Sequence, residues 1–599
     1  MKQDYKILTQ LDTIIDSYRE PIKLIDGLTR SPKDIIRRIE FYTNDKYLSG
    51  NLDELGREKP FFQICNFRVT VAKTATDIDV KDIKYEPESL SDAVPAMLIN
   101  HELFKYLKES DFSETLNDMG KTRPKYGGLL VKKCIEDDEM EIEVVDWKNV
   151  DFNPACIDDG IIIETHWLQP SEVASKADVW ENVEELLKAH AKANKNKPAP
   201  IEIKEVTGEF DSTFDPEVED TFSNEMVFKK MCFYIGIVNK KKFLLYKEDL
   251  KDEEDKYKYL AWEKIGEGLG RGVVEDGFES QWATNDAMLA IKNIMDISGK
   301  VILSTDSNKV SGNVLNGVDN GHIFQIESGR SLTSVNLAPS NLPEFHNVID
   351  LWRQQYDNSV SVHDANTGEA PTAGTPYSQT ALLNQVANSP FEYQREVWGI
   401  FLNEILNDWI LPYIKKRIMK EHYLVSEFSD DELNMIDNDI KNVNVIEMAK
   451  SKILSGQDVT PNDITSTTTN IDSALSKFGK KREIKIPKGY LDIEGRLTAN
   501  ITGELKNKQA ILASLAQIGK DIASTYNPQT GQFGAMENPF LKKLYGTIIN
   551  LAGTPITSGD LNTNKQAQST PQLPTNTQPT PQPDVSAISP ATAQPAMAG

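Results

Sequence analysis

The sequence predicts an α+β protein of several units, and three observations carry that expectation. β-rich runs cluster between 127 and 246. Long amphipathic runs dominate from 266 to 420. Between them lies a compact β insert, 300–340, flanked on both sides by helical pattern. At 599 residues the chain exceeds what one hydrophobic core organises, so two to four structural units are expected.

Residues 1–120 read mainly as helix, with an apolar break at Pro60-Phe61-Phe62 that leads into a short strand or a buried helix end. A helix from about Leu90 to Lys108 carries Leu98, Leu103, Tyr106 and Leu107 as an incomplete apolar stripe. GGLLVKKCI, EIEVVDWKNVDFNP and GIIIETHWL then suggest an antiparallel meander over 127–168. A polar helix, 171–195, ends in a charged linker. Strands follow over 226–246, paired across Asn239-Lys240, and KEDLKDEEDK reads as a solvated acidic loop.

From 266 the pattern becomes helix, β insert, helix. The first helix carries Val274, Phe278, Trp282, Leu289 and Ile291 and ends at Gly299. The insert has two Asn-Gly pairs, 316–317 and 320–321, that favour tight hairpins. The second helix opens on Asn341 with Glu344 three residues on, and places Phe345, Val348, Ile349, Trp352 and Tyr356 on one face. Two such helices and the insert would make a stalk with a tip. One apolar face each is more than the pair can bury, so copies of the chain are expected to pack together.

Next come a small-residue loop, VHDANTGEAPTAGTP (362–376), and a helical run from Tyr377 to Ile418. Thr375 suits an N-cap and Pro376 the first helical position. Pro390 predicts a kink about four turns in. Residues 421–482 are helix-prone; strand material follows to about 504, then two amphipathic helices within 505–552. The tail from 553 is rich in Pro, Thr and Gln, has almost no apolar mass, and is expected to be disordered. No internal repeat is present.

Composition excludes several functions. The chain carries 66 basic against 91 acidic residues, a net charge of −25. A generally basic, nucleic-acid-gripping surface is therefore not expected. The four cysteines, Cys65, Cys134, Cys156 and Cys232, form no CxxC pair and sit in apolar contexts, as buried thiols do. The N-terminus lacks the apolar core of a signal peptide, and no window of 18 apolar residues exists, so no membrane association is expected.

GEGLGRG (266–272) is a candidate phosphate loop that fails, because the third glycine position of a GxGxxG holds Arg271 and no GK[ST] follows. It reads as a flexible lead-in to a helix. The seven histidines are scattered without HExxH spacing, and no GxSxG occurs. Asp137-Asp138 and Asp158-Asp159 fall in turns, where aspartate is favoured anyway. No catalytic, cofactor-binding or metal site is expected, and no enzymatic activity. No Walker-type GxxxxGK[ST] occurs in the chain, which argues most strongly against a packaging-type ATPase.

Taken together, these features resemble the portal proteins of tailed bacteriophages. GEGLGRGVVEDGFESQWATNDAMLAIKNI resembles the family's first stem helix with its glycine-rich lead-in. The insert is similar to the clip, and 341–360 to the second stem helix. ANTGEAPTAGTPYSQTALLNQVANSPFEYQREVWGIFLNEILNDWILPYI resembles the tunnel loop and long kinked helix. GLLVKK, VVDWKNVDFNP and IIIETHWLQPSE resemble the wing. No single motif is diagnostic; the order of features carries the resemblance, which covers residues 60–420.

The resemblance implies a domain plan: wing 1–265, stem helices 266–299 and 341–360, clip 300–340, tunnel loop 361–376 and long kinked helix 377–420. A wing return (421–504), crown helices (505–552) and the tail (553–599) complete it. It implies a ring at one capsid vertex, usually of twelve copies, through which double-stranded DNA enters and leaves. Implied partners are the terminase large subunit, tail or adaptor proteins, and the major capsid and scaffolding proteins. The implied location is the virion, and the host cytoplasm during assembly. His363, Asp364, Asn366, Gly368, Glu369, Ala373 and Gly374 would form the tunnel loop, Lys309 and Arg330 are clip candidates facing DNA, and Pro390 is the kink. Twelve copies would carry roughly −300, a surface that repels phosphate over most of its area. Another virion component, such as a head-tail adaptor, is the alternative.

Overall fold

A computed structural model describes residues 6–499, apart from short internal stretches and the longer ones 212–227, 306–331, 336–341 and 363–376, together with two short strands within 526–533. The chain forms two compact units, 1–503 and 504–599. In the second, Tyr526–Asn527 pairs antiparallel with Gln532–Phe533.

The first unit mixes helix and strand throughout. It opens with α1 (Lys6–Arg19), the hairpin β1 (Ile22–Ile25) and β2 (Leu28–Arg30), α2 (Pro32–Thr43) and α3 (Cys65–Ala75). Then come β3 (Ile83–Pro87), α4 (Ala93–Glu109), α5 (Phe112–Tyr126), β4 (Gly128–Glu136), β5 (Glu139–Val144), β6 (Val150–Phe152) and β7 (Ile162–Leu168). The apolar break at 60–62 therefore leads into a helix. The stripe predicted on α4 is real: Leu98, Leu103, Tyr106 and Leu107 are all buried.

The predicted meander divides between two sheets. β4 and β5 join a three-stranded sheet of order β11-β4-β5, whereas β6 and β7 belong to a five-stranded antiparallel sheet of order β10-β9-β8-β7-β6. The chain is redirected by a single turn of 3-10 helix, Trp147–Asn149. Trp147 is fully buried, and its indole N–H donates to Gly128 O at 2.9 Å. β4 is packed on both faces, with Leu129 and Val131 in one core and Leu130 in another. Its unbroken apolar run GLLV follows from that placement.

The polar helix expected at 171–195 is two helices, α6 (Pro170–Ser175) and α7 (Val183–Ala193). Between them the chain turns inward to bury Trp180 and to donate from Glu181 N to Leu245 O. β8 (Ile201–Asp211) follows, then β9 (Phe228–Val238), β10 (Lys241–Asp249) and β11 (Tyr257–Ala261). The Asn239-Lys240 turn is as predicted: Val238 faces Lys241, and both turn residues have positive φ, the signature of a tight hairpin. α1 packs on one face of the five-stranded sheet and α7 on the other.

α8 (Val273–Asp276), α9 (Phe278–Ser298), the antiparallel pair β12 (Ile302–Thr305) and β13 (Leu332–Val335), and α10 (Leu342–Ser359) realise the helix, β insert, helix order. The long helix α11 (Tyr377–Ile405) runs through a π-helical turn, Leu406–Ile410, into α12 (Leu411–Lys420). Beyond it lie β14 (Tyr423–Glu427), α13 (Asp430–Leu454), α14 (Pro461–Leu475), β15 (Lys481–Lys485) and β16 (Gly495–Ala499). β14 pairs with β15, and β16 returns to pair with β3, more than 400 residues earlier in the chain. The largest core joins α4, α5, β4, β5, the long helix and β16. None of the four cysteines forms a disulfide, and burial pushes the Cys65 thiol up to about 12. The predicted crown helices and tail lie outside the described residues.

Candidate functional site: the paired helices and the long helix beyond them

α9 and α10 meet at their root through a contact only glycine permits. A Cβ on Gly277 would lie 2.2 Å from the Tyr356 ring. That ring is fully buried, and its hydroxyl donates to Val273 O at 2.8 Å. The next residue, Asp357, accepts both arms of Arg68, at 2.7 and 2.8 Å, while a third Arg68 nitrogen donates to Ile64 O. A bidentate guanidinium–carboxylate pair at a buried arginine fixes direction as well as distance. The start of α9 and the end of α10 are thus pinned to one another and to α3.

Along its length α9 is held by the extended segment 57–64. The Gln281 carboxamide donates to Phe62 O and accepts from Ile64 N, and Asn285 accepts from Phe62 N at 3.0 Å. Further out, Lys292 donates to Glu58 O, and Arg57 reaches Asn293 and Asp296. The two helices share a small core of Ala287, Ile291 and Ile349, with Met288 and Phe345 against it. The predicted stripes are therefore only partly internal. Val274, Phe278, Ile291, Ile349 and Tyr356 are buried; Leu289, Phe345 and Trp352 are half-buried. Trp282, Val348 and Leu351 are 56%, 43% and 65% exposed.

The glycine-rich lead-in is a tight backbone crossing and not the flexible segment expected from its composition. A Cβ on Gly272 would lie 2.4 Å from Gly127 N. The buried Arg30 donates to Leu269 O and Gly270 O and pairs with Glu275. The arginine takes two of the loop's carbonyls, and two of its N–H groups are taken as well, Gly270 N by Tyr259 Oη at 2.8 Å and Arg271 N by Glu263 O at 2.9 Å. In this conformation it offers no open cradle of N–H groups of the kind that holds phosphate.

Ser361 takes φ +57 and turns the chain after α10, so that Val362 buries its side chain and donates its N–H to Asp357 O. Across the following segment, Phe391 is buried in the same core as Val362. The proposed tunnel-loop residues His363, Asp364, Asn366, Gly368, Glu369, Ala373 and Gly374 lie outside the described residues, as do the clip candidates Lys309 and Arg330.

The helical ladder of α11 continues across Pro390. α geometry gives way later, at Leu406–Ile410, where Leu411 N–H bonds Leu406 O five residues back. Pro412 lies two residues beyond this turn. It has no N–H for the carbonyl four residues earlier, and a π turn is one way to absorb the missing donor inside a continuous helix. The helix is anchored from three directions. Arg123, buried beneath it, donates to Gln394 O and Gln394 Oε1 and also reaches Ala261 O. Burial pushes its pKa down to about 9. Asn403 and Asn407 bond the backbone of β16, and Lys258 pairs with Asp408.

A second polar constellation ties the two larger sheets together. Glu205 on β8 meets Lys256 at 2.7 Å, His166 at 3.0 Å and Lys132 at 3.3 Å; Lys132 also meets Glu164 at 2.8 Å. Tyr257 Oη lies 3.2 Å from both carboxylates. Burial opposes charge on Glu205, but the His166 hydrogen bond and the two ammonium groups outweigh it and hold the carboxyl well below its usual range. Glu164, His166 and Glu205 are close enough to share a divalent cation. In this arrangement the two lysines already supply the positive charge, so the cluster reads as a structural ion network. Sequence reasoning missed it because its members come from four strands, and none stands in a recognisable spacing. No described helix is long and apolar enough to cross a membrane. No family model matches this chain, and comparison with curated proteins finds no relative.

Proposed function

We propose that the protein is a tailed-phage portal protein, a ring-forming conduit for double-stranded DNA at one capsid vertex. The observation that carries this reading is the unit formed by α9, the β12–β13 pair and α10, followed by residues 363–376 and the long helix, with Val362 just ahead of that stretch and Phe391 within the long helix sharing one core. That order suits a stem, a clip, a tunnel loop and a channel-lining helix. Trp282, Val348 and Leu351 support it, because exposed apolar side chains on both of two rigidly rooted helices suit packing against neighbouring copies.

In this reading the protein performs no chemistry of its own. The terminase motor docks at the clip during packaging, tail or adaptor proteins replace it, and capsid and scaffolding proteins surround the ring. A net charge of −25 per chain keeps DNA sliding instead of adhering. The residues 363–376 would surround the duplex, with Lys309 and Arg330 guiding it at the clip. The test is deletion of residues 366–374 from the full chain. Assembly should be retained while packaging or retention of DNA is lost; full packaging and stable retention would contradict the assignment.

A further inference from the structure

We propose that the outer edge of β5 is a docking site for a lysine- or arginine-rich extended segment of a partner protein, which adds to the three-stranded sheet as a fourth strand. The inference does not depend on the portal reading.

β5 lies at one end of the order β11-β4-β5, so among the described residues β4 is its only strand neighbour. Two independent contacts fix which of its backbone groups face outward. Val145 N donates to Leu130 O at 2.9 Å, which turns Val145 toward β4. Antiparallel pairing alternates, so Val144, Ile142 and Met140 then point their N–H and C=O groups away from β4. The second contact agrees: Met140 O accepts from Tyr106 Oη, a group outside the sheet. Beyond Met140, the outward N–H and C=O groups of Ile142 and Val144 open onto a groove of about 380 Å³ between β5 and the first turns of α5.

The groove's chemistry selects the occupant. It is lined by Asp111, Glu114 and Asp118 on one wall and by Glu141 and Glu143 on the other, and no lysine or arginine lines it. Only Glu143 has an ion-pair partner among the described residues, Lys132 at 3.8 Å. An added strand projects side chains alternately to both faces of the sheet, and here each face presents carboxylates. Main-chain hydrogen bonds would supply affinity and the carboxylates a preference for basic side chains, the usual division of labour in strand addition. Nucleic acid is excluded by the same charge. The competing reading is that Glu139, Glu141 and Glu143 merely protect an open edge from aggregation.

The test uses the full chain and a fluorescein-labelled octapeptide of alternating lysine and valine, with the same peptide N-methylated at every residue as control. The control keeps the charge and loses the main-chain donors. Fluorescence anisotropy should show saturable binding at least tenfold tighter for the unmethylated peptide. Hydrogen exchange at Ile142 and Val144 should slow at least tenfold on binding. Glu114→Lys with Asp118→Lys, both on the exposed wall, should weaken binding about tenfold. Val144→Pro, which removes an outward N–H without touching the β4 ladder, should abolish it. Equal affinity for the two peptides, no saturable binding, or unchanged exchange at Ile142 and Val144 would overturn the proposal and leave edge protection as the role of the glutamates. Because the control alters the peptide, the test holds even where a protein variant fails to fold.

Discussion

Asn407 gives Leu497 the two hydrogen bonds that a neighbouring strand would have given it. Its carboxamide donates to Leu497 O at 2.9 Å and accepts from Leu497 N at 2.8 Å. Leu497 is the register partner of Tyr85, whose own N–H and C=O are taken by the carboxamide of Asn100 at 2.7 and 3.0 Å. The two-stranded sheet β3–β16 is thus closed on both edges by asparagine side chains, Asn100 from α4 on one and Asn403 and Asn407 from the long helix on the other. A pair of strands that would be marginal alone is made part of the core, and its position is tied to the helix.

Asn407→Ala should therefore cost about 1–3 kcal/mol, the usual penalty for leaving buried backbone groups unpaired. Asn407→Asp should be no better, because a carboxylate cannot donate to Leu497 O. Denaturant unfolding gives the cost, and hydrogen exchange should show selective loss of protection at Leu497. Unchanged exchange there would show that the hook is dispensable.

Gly277→Ala should loosen the root of the two paired helices. Its Cβ would sit inside the Tyr356 ring, so either the ring or the backbone must shift, at a cost of about 1–3 kcal/mol. Tyr356→Phe keeps the ring and removes the hydroxyl with its bonds to Val273 O and the Cys65 thiol, and should cost about 1 kcal/mol. Thermal unfolding of both variants should rank the glycine change as the larger loss.

Glu205→Gln should destabilise the joint between the two sheets, because it leaves Lys132 and Lys256 buried beside a neutral amide. Breaking a buried pair in this way costs roughly 3–5 kcal/mol. The pH dependence has a definite sign. Glu205 is held below its ordinary value when folded, so the unfolded chain binds its proton more readily. Its contribution is fully present above the ordinary glutamate range and is lost as pH falls toward the folded value. Melting temperature against pH should therefore fall less steeply below pH ~4.5 in Glu205→Gln than in the native chain. Parallel curves would contradict the ion network.

The parts legible in the sequence were those governed by local pattern. The stripe of α4, the Asn239-Lys240 hairpin and the helix, insert, helix order each follow from residues close together in the chain. β8 was missed because charge at alternate positions reads as a solvated segment, whereas Lys204 and Glu205 are buried among partners from other strands. The β3–β16 pairing joins residues at opposite ends of the first unit, and no local signal announces it. GEGLGRG misled in a different way. Glycine supplies either freedom or close approach, and only the arrival of Gly127 against Gly272 shows that close approach is its use here. Pro412, not singled out in the sequence, lies two residues beyond the π turn, while the helical ladder passes through Pro390.

The central claim, that copies of this chain close into a ring around a channel, is tested most directly by electron micrographs of the purified full-length protein. The account predicts end-on views of closed rings with a central hole, and Trp282→Glu with Leu351→Glu, both exposed on the paired helices, should break them into smaller species. Single particles without a hole, under conditions where the protein is folded, would contradict it.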